Sequence, residues 1–209
     1  MKVVEQLASS LDRRDEEPNI ALARAIVAKK DKAAVKELVE LLDHKSKDIQ
    51  NDAIKVLYEI GALDPKLIAP YAPTFMKLLE HKNNRLQWGA MTAISTIVSE
   101  DPGTLYNSLP MIVEVANKGS VITRDYAVNI LLQFCGMKQY TKDAFPLFLE
   151  QLAGSPPNQV PMYAENAMPY IQEGQKAQFI KVLESRLGDI EKDSKKKRVE
   201  KVLKKLGKK

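Results

Sequence analysis

The chain has 209 residues with a formal net charge of +5, and 44% of its residues are hydrophobic and 28% charged. These values are ordinary for a folded chain of one domain or one short repeat array. Aromatic residues make up only 6%, and long runs of alternating polar and apolar residues are absent, which argues against a β-sandwich or barrel and favours helices.

The same composition bears on location. No run of eighteen apolar residues occurs, so the sequence predicts no contact with a membrane. The charged N-terminus lacks the apolar core of a signal peptide. The single cysteine, Cys135, cannot form an internal disulfide, and we therefore expect a cytoplasmic protein.

A pattern of two helices recurs along the chain. From Leu38 to Gly61, apolar residues recur three or four positions apart on both sides of a short polar turn, which predicts a pair of amphipathic helices. The pattern returns 37 residues later from Phe75, and again near Met111. Neither helix of a pair can bury its apolar face alone, so neighbouring pairs must stack.

Three series of residues define the register of the repeats. A small residue marks the second helix of each pair, at Ala23, Ala53, Ala90, Ala127, Ala167 and Val199. Four positions later lie Val27, Leu57, Ile94, Leu131, Ile171 and Leu203. The first helices contribute Leu11, Leu41, Leu78, Val115, Leu152 and Leu187. The series predict a single domain over 1–209 with pairs at about 1–30, 31–63, 64–101, 102–137, 138–173 and 174–209.

Prolines and glycines mark the expected ends and bends of the helices in this register. Asp64-Pro65 and Asp101-Pro102-Gly103 separate pairs, because Asp can cap a helix that Pro begins. Gly61 and Gly136 are expected at helix ends. Ser155-Pro156-Pro157 predicts a rigid turn inside the fifth pair. The prolines expected to bend or restart first helices are Pro73, Pro110 and Pro146.

The repeats resemble HEAT repeats, which are helix pairs with proline in the first helix and a V-R-x-x-A-x-x-x-L run in the second. The corresponding runs are 49–53 (IQNDA), 86–90 (LQWGA) and 123–127 (TRDYA), of which only the last keeps the arginine, Arg124. The resemblance implies an all-α, right-handed α-α superhelix of about six helix pairs whose second helices line a concave face. It implies no chemistry, since such folds serve mostly as scaffolds. The two-helix period argues against armadillo repeats, which have a third helix.

Residues that carry chemistry are few. His44 and His81 occupy equivalent positions in successive repeats, too far apart for one zinc ion. We interpret them as cation-capable residues at a helix C-terminus, where the helix dipole favours them. Cys135 fits a buried position, and the Glu16-Glu17 pair fits a solvated loop. Phosphate-binding glycine loops are absent. The sequence therefore predicts no enzyme, no cofactor and no metal site.

Trp88 stands out, because sister repeats place Asn51, Asp125 and Glu165 at its position. A tryptophan at a repeat position that is otherwise polar is either partly buried between neighbouring helices or a hot spot for binding a partner. The candidate partner-binding residues of the groove are Trp88, Arg85, Lys55, Tyr58, Thr92, Asp125 and Asn129. This mixed surface suits a protein or peptide better than a phosphate backbone, which needs a clear excess of Lys and Arg.

The C-terminal helix carries the positive charge. From Asp189 onward the sequence has ten Lys or Arg and four Asp or Glu. The rest of the chain has 22 Lys or Arg and 23 Asp or Glu. The stripe of Val199, Val202, Leu203 and Leu206 predicts a helix that caps the array. The candidate electrostatic contacts are Lys195, Lys196, Lys197, Arg198, Lys201, Lys204 and Lys205.

The leading hypothesis is a non-enzymatic HEAT-repeat adaptor that binds a protein or peptide in its concave groove. The alternative is a nucleic-acid-binding protein, either through the basic C-terminal helix or in the manner of the HEAT-like alkylpurine DNA glycosylases. Those enzymes have several groove aromatics around a catalytic aspartate. This chain has one tryptophan, and Asp125 lacks such a set of aromatics.

Overall fold

The computed structural model describes residues 2–207, which contain twelve α-helices, short 3₁₀ turns and no strand. The first six are α1 (Glu17–Lys29), α2 (Lys32–Glu40), α3 (Lys47–Leu63), α4 (Ala72–Leu78), α5 (Asn84–Thr96) and α6 (Pro102–Asn107). The others are α7 (Leu109–Lys118), α8 (Val121–Cys135), α9 (Thr141–Ala153), α10 (Val160–Ala167), α11 (Lys176–Arg186) and α12 (Asp193–Leu206). Over residues 2–207 no helix combines the length and apolarity needed to cross a bilayer.

The helices form two compact units, one that ends at Ala127 and one that begins at Val128, so that α8 contributes to both. In the first unit α3 packs between α1 and α5 in one layer, with α2 against α3 and α4 against α5 in a second layer. In the second unit α9 packs on α11, and α12 packs on α10 and α11.

The register of the second helices is confirmed. All six anchors, Ala23, Ala53, Ala90, Ala127, Ala167 and Val199, are fully buried. Leu57, Ile94 and Leu131, one turn further on, are also fully buried. The equivalent residues of the outer pairs, Val27, Ile171 and Leu203, are partly exposed. Small anchors let neighbouring helices approach, and the larger residues fill the core between them.

The first repeat departs from the prediction. Leu11, assigned to the core of a first helix, is 51% exposed. Two short 3₁₀ turns, Val3–Gln6 and Ser9–Leu11, replace that helix, and the core is filled instead by Leu7. The backbone N–H of Val3 donates to the Glu37 carboxylate at 2.8 Å, a contact with α2 that the local sequence does not reveal.

The prolines act in two ways. Pro73 and Pro110 lie in the first turns of α4 and α7, where a missing N–H costs nothing, whereas Pro146 lies inside α9, which continues past it. Asp101 caps the extra short helix α6, its carboxylate accepting the Thr104 N–H at 3.3 Å. The fourth repeat therefore has three helices, and the expected two-helix period does not hold there.

Gly61 was expected at a helix end, but it lies within α3. A Cβ at this position would lie 2.2 Å from Thr96 Oγ1 and 2.5 Å from Ile68 Cδ1, so glycine permits the close approach of these side chains. Gly136 directly follows α8, as predicted.

The turn at Ser155-Pro156-Pro157 is fixed by a long-range contact. The Arg186 guanidinium on α11 donates to the carbonyl of Leu152 at 2.9 Å and to that of Ser155 at 2.8 Å. The contact with Leu152 places a cationic donor on a carbonyl at the C-terminal end of α9, and the contact with Ser155 holds the turn that follows the helix.

We expect Leu57→Ala and Ile94→Ala each to lower the free energy of unfolding by about 2–5 kcal/mol, because both remove fully buried methyl groups. Urea denaturation followed by circular dichroism measures the loss. Leu63→Ala is the matched control on α3, since Leu63 is 53% exposed and its loss should cost under about 0.5 kcal/mol. Equal losses for Leu57 and Leu63 would contradict the register.

Gly61→Ala is expected to destabilise the chain by about 1–3 kcal/mol, because the new methyl group overlaps Thr96 and Ile68. Gly103→Ala is the control, since nothing among the described residues lies within 4 Å of its added Cβ. That change should be neutral or slightly stabilising. Thermal denaturation gives the melting temperature of each variant relative to the parent. An unchanged melting temperature for Gly61→Ala would refute the close approach.

Candidate functional site

Four of the predicted residues form one cluster across the neighbouring helices α3 and α5. Lys55 and Tyr58 project from α3, and Arg85 and Trp88 from α5, each pair three residues apart and so on one face of its helix. The Tyr58 and Trp88 rings have centroids 5.9 Å apart. Arg85 Cζ lies 5.0 Å from the Trp88 ring centre, and Lys55 Nζ lies 4.9 Å from that of Tyr58. We call these four residues the aromatic–cation cluster.

Lys55 is the buried cation of the cluster. Its side chain is only 8% exposed, and Nζ forms ion pairs with Glu16 at 2.8 Å and with Glu59 at 2.7 Å. Burial by itself would lower the pKa of Lys55, but the hydrogen bonds to Glu16 and Glu59 outweigh it and the pKa is raised. The ammonium group therefore stays charged because two carboxylates replace the water it has lost.

Glu16 joins both cations and was not predicted to take part in the site. Its carboxylate contacts Lys55 Nζ through Oε2 and Arg85 Nη2 through Oε1, the latter at 2.5 Å. The hydrogen bond from Lys55 leads the effects that lower the pKa of Glu16, followed by that from Arg85. Glu16 lies in a bend and its side chain is 45% exposed, as expected of a loop carboxylate, but its two ion pairs were not predicted.

The segment before α1 reaches the cluster because it is anchored on α3. The Asp52 carboxylate accepts the Ser9 backbone N–H at 2.8 Å and the Asn19 side-chain amide at 2.7 Å. Asn19, which is buried, in turn accepts the Ala8 N–H at 3.0 Å. Between this anchor and Glu16, Asp12 has a left-handed backbone with φ of 55°. We call residues 12–16 the N-terminal strap.

A polar cavity of about 480 Å³ lies beside the strap and is lined by residues of both charge signs, including Ser9, Asp12, Arg14, Asp48, Asn51 and Arg85. Arg85 Nε is buried and has no hydrogen-bond partner among the described residues. The guanidinium therefore keeps a donor that its contact with Glu16 does not use.

The remaining predicted groove residues have other surroundings. Thr92 is buried and its hydroxyl donates to the Trp88 carbonyl at 2.9 Å. Asp125 is half-buried on α8. Asn129 belongs to the second unit, where it is exposed and accepts the Gln133 amide at 2.7 Å. Trp88 itself is half-buried.

The histidines have a structural role that was not foreseen. His44 Nδ1 accepts the Ser46 N–H at 3.0 Å, and His81 Nδ1 accepts the Asn83 N–H at 2.9 Å. Each ring thus closes the turn before a second helix by accepting a backbone N–H. Among the described residues no three His, Cys, Asp or Glu side chains are grouped to hold a metal ion.

Cys135 is fully buried, as predicted. Burial raises the pKa of its thiol to about 12, so the reactive thiolate is scarce at neutral pH.

The C-terminal helix packs as the sequence indicated, with Val199, Val202 and Leu206 buried. Two of its basic residues make exposed contacts within the second unit: Arg198 forms an ion pair with Glu165, and Lys195 donates to Asn158 at 3.0 Å. The other candidate cations are Lys196, half-buried, and Lys197, Lys201, Lys204 and Lys205, all exposed.

Comparison with solved structures assigns the fold. The chain matches the crystal structures of two engineered proteins of the Northeast Structural Genomics Consortium, with TM-scores of 0.65 and 0.62 and identities of 21% and 20%. Each match covers 99% of this chain and 97% of the other. A designed armadillo repeat protein in complex with the peptide (KR)4 matches with a TM-score of 0.65 and 19% identity, over 98% of both chains.

This is a helical repeat solenoid fold. At these identities the likeness concerns the fold alone. Neither the family models nor the curated proteins include a match to the sequence. The narrower assignment to HEAT repeats stays a prediction.

The ion pairs of Glu16 should make stability depend on pH. Because the folded state lowers the pKa of Glu16, their contribution is present above the ordinary carboxyl range and is lost as the pH falls through the folded value. We expect Glu16→Gln to cost about 1 kcal/mol or less at neutral pH, given the exposure of Glu16, and nothing near pH 2. Urea denaturation of parent and variant across this range measures the difference; a constant difference would contradict the assignment.

Proposed function

We propose that this chain is a non-enzymatic adaptor that binds a peptide or protein segment on the α3–α5 face, around Trp88. The carrying observation is the aromatic–cation cluster: a half-buried Trp beside Tyr58 and Arg85, with ring and cation contacts of 5.9 and 5.0 Å. Trp, Tyr and Arg are the residues enriched at binding hot spots. They are already held in place by their contacts here, so little conformational freedom is lost when a partner binds.

The designed armadillo repeat protein supports this mode of action, since it binds a peptide on a similar fold. The chemistry of that peptide is not transferred, because the cations Lys55 and Arg85 lie within the proposed surface of this chain. Cytoplasmic location is proposed on the single cysteine alone.

Nucleic-acid binding is the weaker candidate. Lys55 and Arg85 both contact carboxylates, so the aromatic–cation cluster presents no free excess of positive charge to a phosphate backbone. On α12 the pairing of Arg198 with Glu165 similarly reduces the charge available. The exposed lysines of α12 give this helix a polar outer face, which a helix that caps a repeat array needs for solubility.

Trp88→Ala tests the proposal on peptides selected against the parent chain from a random display library. We expect the variant to keep its helical content and melting profile while binding such peptides at least about 30-fold more weakly, which equals about 2 kcal/mol. Fluorescence polarisation measures the affinity.

Tyr71→Ala is the matched control, since Tyr71 is a half-buried aromatic residue in the Ala69–Tyr71 turn before α4, outside the cluster. Selected peptides should bind this variant as they bind the parent. Selected peptides that bind Trp88→Ala with parental affinity would refute the proposed surface.

A further inference from the structure

The cluster already holds a carboxylate from its own chain, and this indicates the kind of partner. We infer that Glu16 occupies the place of an acidic side chain of the partner, and that the bound peptide presents Asp or Glu to Lys55 and Arg85. The inference rests on the proposed function of the α3–α5 face and adds to it the charge of the partner and a competitor within the chain.

The first argument comes from Lys55. Its ammonium group is removed from water, with the side chain 8% exposed, and a buried charge is strongly destabilising without its counter-charge. Glu59 supplies one carboxylate from the same helix, at 2.7 Å. If Glu16 moves away, Lys55 keeps only Glu59 as a counter-charge, so the vacated side favours an acidic group over a neutral or basic one.

Arg85 supplies the second argument. A guanidinium can bind a carboxylate through two parallel hydrogen bonds. The described contact of Arg85 with Glu16 uses Nη2, while Nε is buried and unpartnered among the described residues. Nε is buried while Glu16 is in place, so a partner carboxylate can use Nε and Nη2 together only once the displacement of Glu16 has uncovered Nε.

Glu16 is able to leave. Its side chain is 45% exposed, in contrast to Lys55. The N-terminal segment is held independently of it, because Ser9 and Asn19 both donate to Asp52. Displacement of Glu16 therefore leaves that anchor intact and requires only a change in the N-terminal strap.

A basic partner is less well matched, even though acidic residues line the neighbouring cavity. Asp52 already accepts the Ser9 and Asn19 donors, and Asp15 forms an ion pair with Arg13 at 2.7 Å. A lysine or arginine also cannot take the place of Glu16, because it would then lie beside the cations Lys55 and Arg85.

The test compares Glu16→Gln with the parent, using fluorescein-labelled octapeptides of sequence (DE)4, (KR)4 and (NQ)4 as probes at low ionic strength. Glu16→Gln keeps the shape of the side chain and removes its charge. We expect (DE)4 to bind the variant at least about 5-fold more tightly than the parent, equal to about 1 kcal/mol. Binding of (KR)4 and (NQ)4 should not improve.

Glu59→Gln is the matched control, because it removes the other ion pair of Lys55 without touching Arg85 or the strap. It should leave (DE)4 binding within about 2-fold of the parent, since Glu16 still occupies both cations. Adding Arg85→Gln to Glu16→Gln should abolish the gain. Glu16→Asp, which keeps the charge on a shorter side chain, serves as the test if Glu16→Gln melts early; it should give a smaller gain for (DE)4.

No gain for (DE)4 with either Glu16 variant, or a gain for (KR)4, would overturn the inference. An equal gain with Glu59→Gln would overturn it too, since the effect would then follow net charge alone. The Trp88→Ala experiment uses peptides selected without regard to charge. If Trp88→Ala weakens those peptides while the Glu16 variants bind (DE)4 no better, the inference fails and the proposed function stands.

Discussion

The first unit depends on how closely α3 and α5 approach each other. A Cβ on Gly89 would lie 2.7 Å from Ile54 Cγ1, and one on Gly61 would lie 2.2 Å from Thr96 Oγ1, so two glycines, one on each helix, permit the contact. Larger residues would push the helices apart and, with them, Tyr58 and Trp88, whose rings now interact at 5.9 Å. The core packing and the aromatic–cation cluster are thus two results of one interhelical distance.

Much of the fold can be predicted from short-range patterns in the sequence. The 3.6-residue period placed Ala53, Ala90 and Ala127 in the core, because burial on one helix face is a local pattern repeated in every pair. The pattern failed where the local signal was weak. Leu11 lies in a short charged stretch whose conformation is set by contacts with α2 and α3, and Gly61 has its partner on α5. The sequence shows that position 61 is a glycine, but it does not show that Thr96 lies close enough to require one.

The candidate site shows the same division. Lys55, Tyr58, Arg85 and Trp88 were predicted together because all four lie on the second helices of adjacent repeats, at or beside the repeat position that Trp88 occupies. Glu16 was missed, since its ion pair with Arg85 joins residues 69 positions apart and no repeat register links them. Burial of Lys55 was missed for the same reason, because Glu59 on the same helix supplies only one of its two carboxylates and the other, Glu16, is distant in the sequence. The repeat pattern predicts which residues occupy equivalent positions in successive repeats. Contacts that do not recur from repeat to repeat are seen only in the folded structure.

The burial of Cys135 has a practical consequence for measuring cooperativity. It is the one cysteine of the chain and lies in the second unit, while the one tryptophan, Trp88, lies in the first. A thiol reagent can modify Cys135 only when the surrounding helices open, so its rate of modification reports the opening equilibrium of that unit. Tryptophan emission reports the other unit in the same sample. The chain thus carries one native reporter per unit, and coincident or separate transitions distinguish a single folding unit from two.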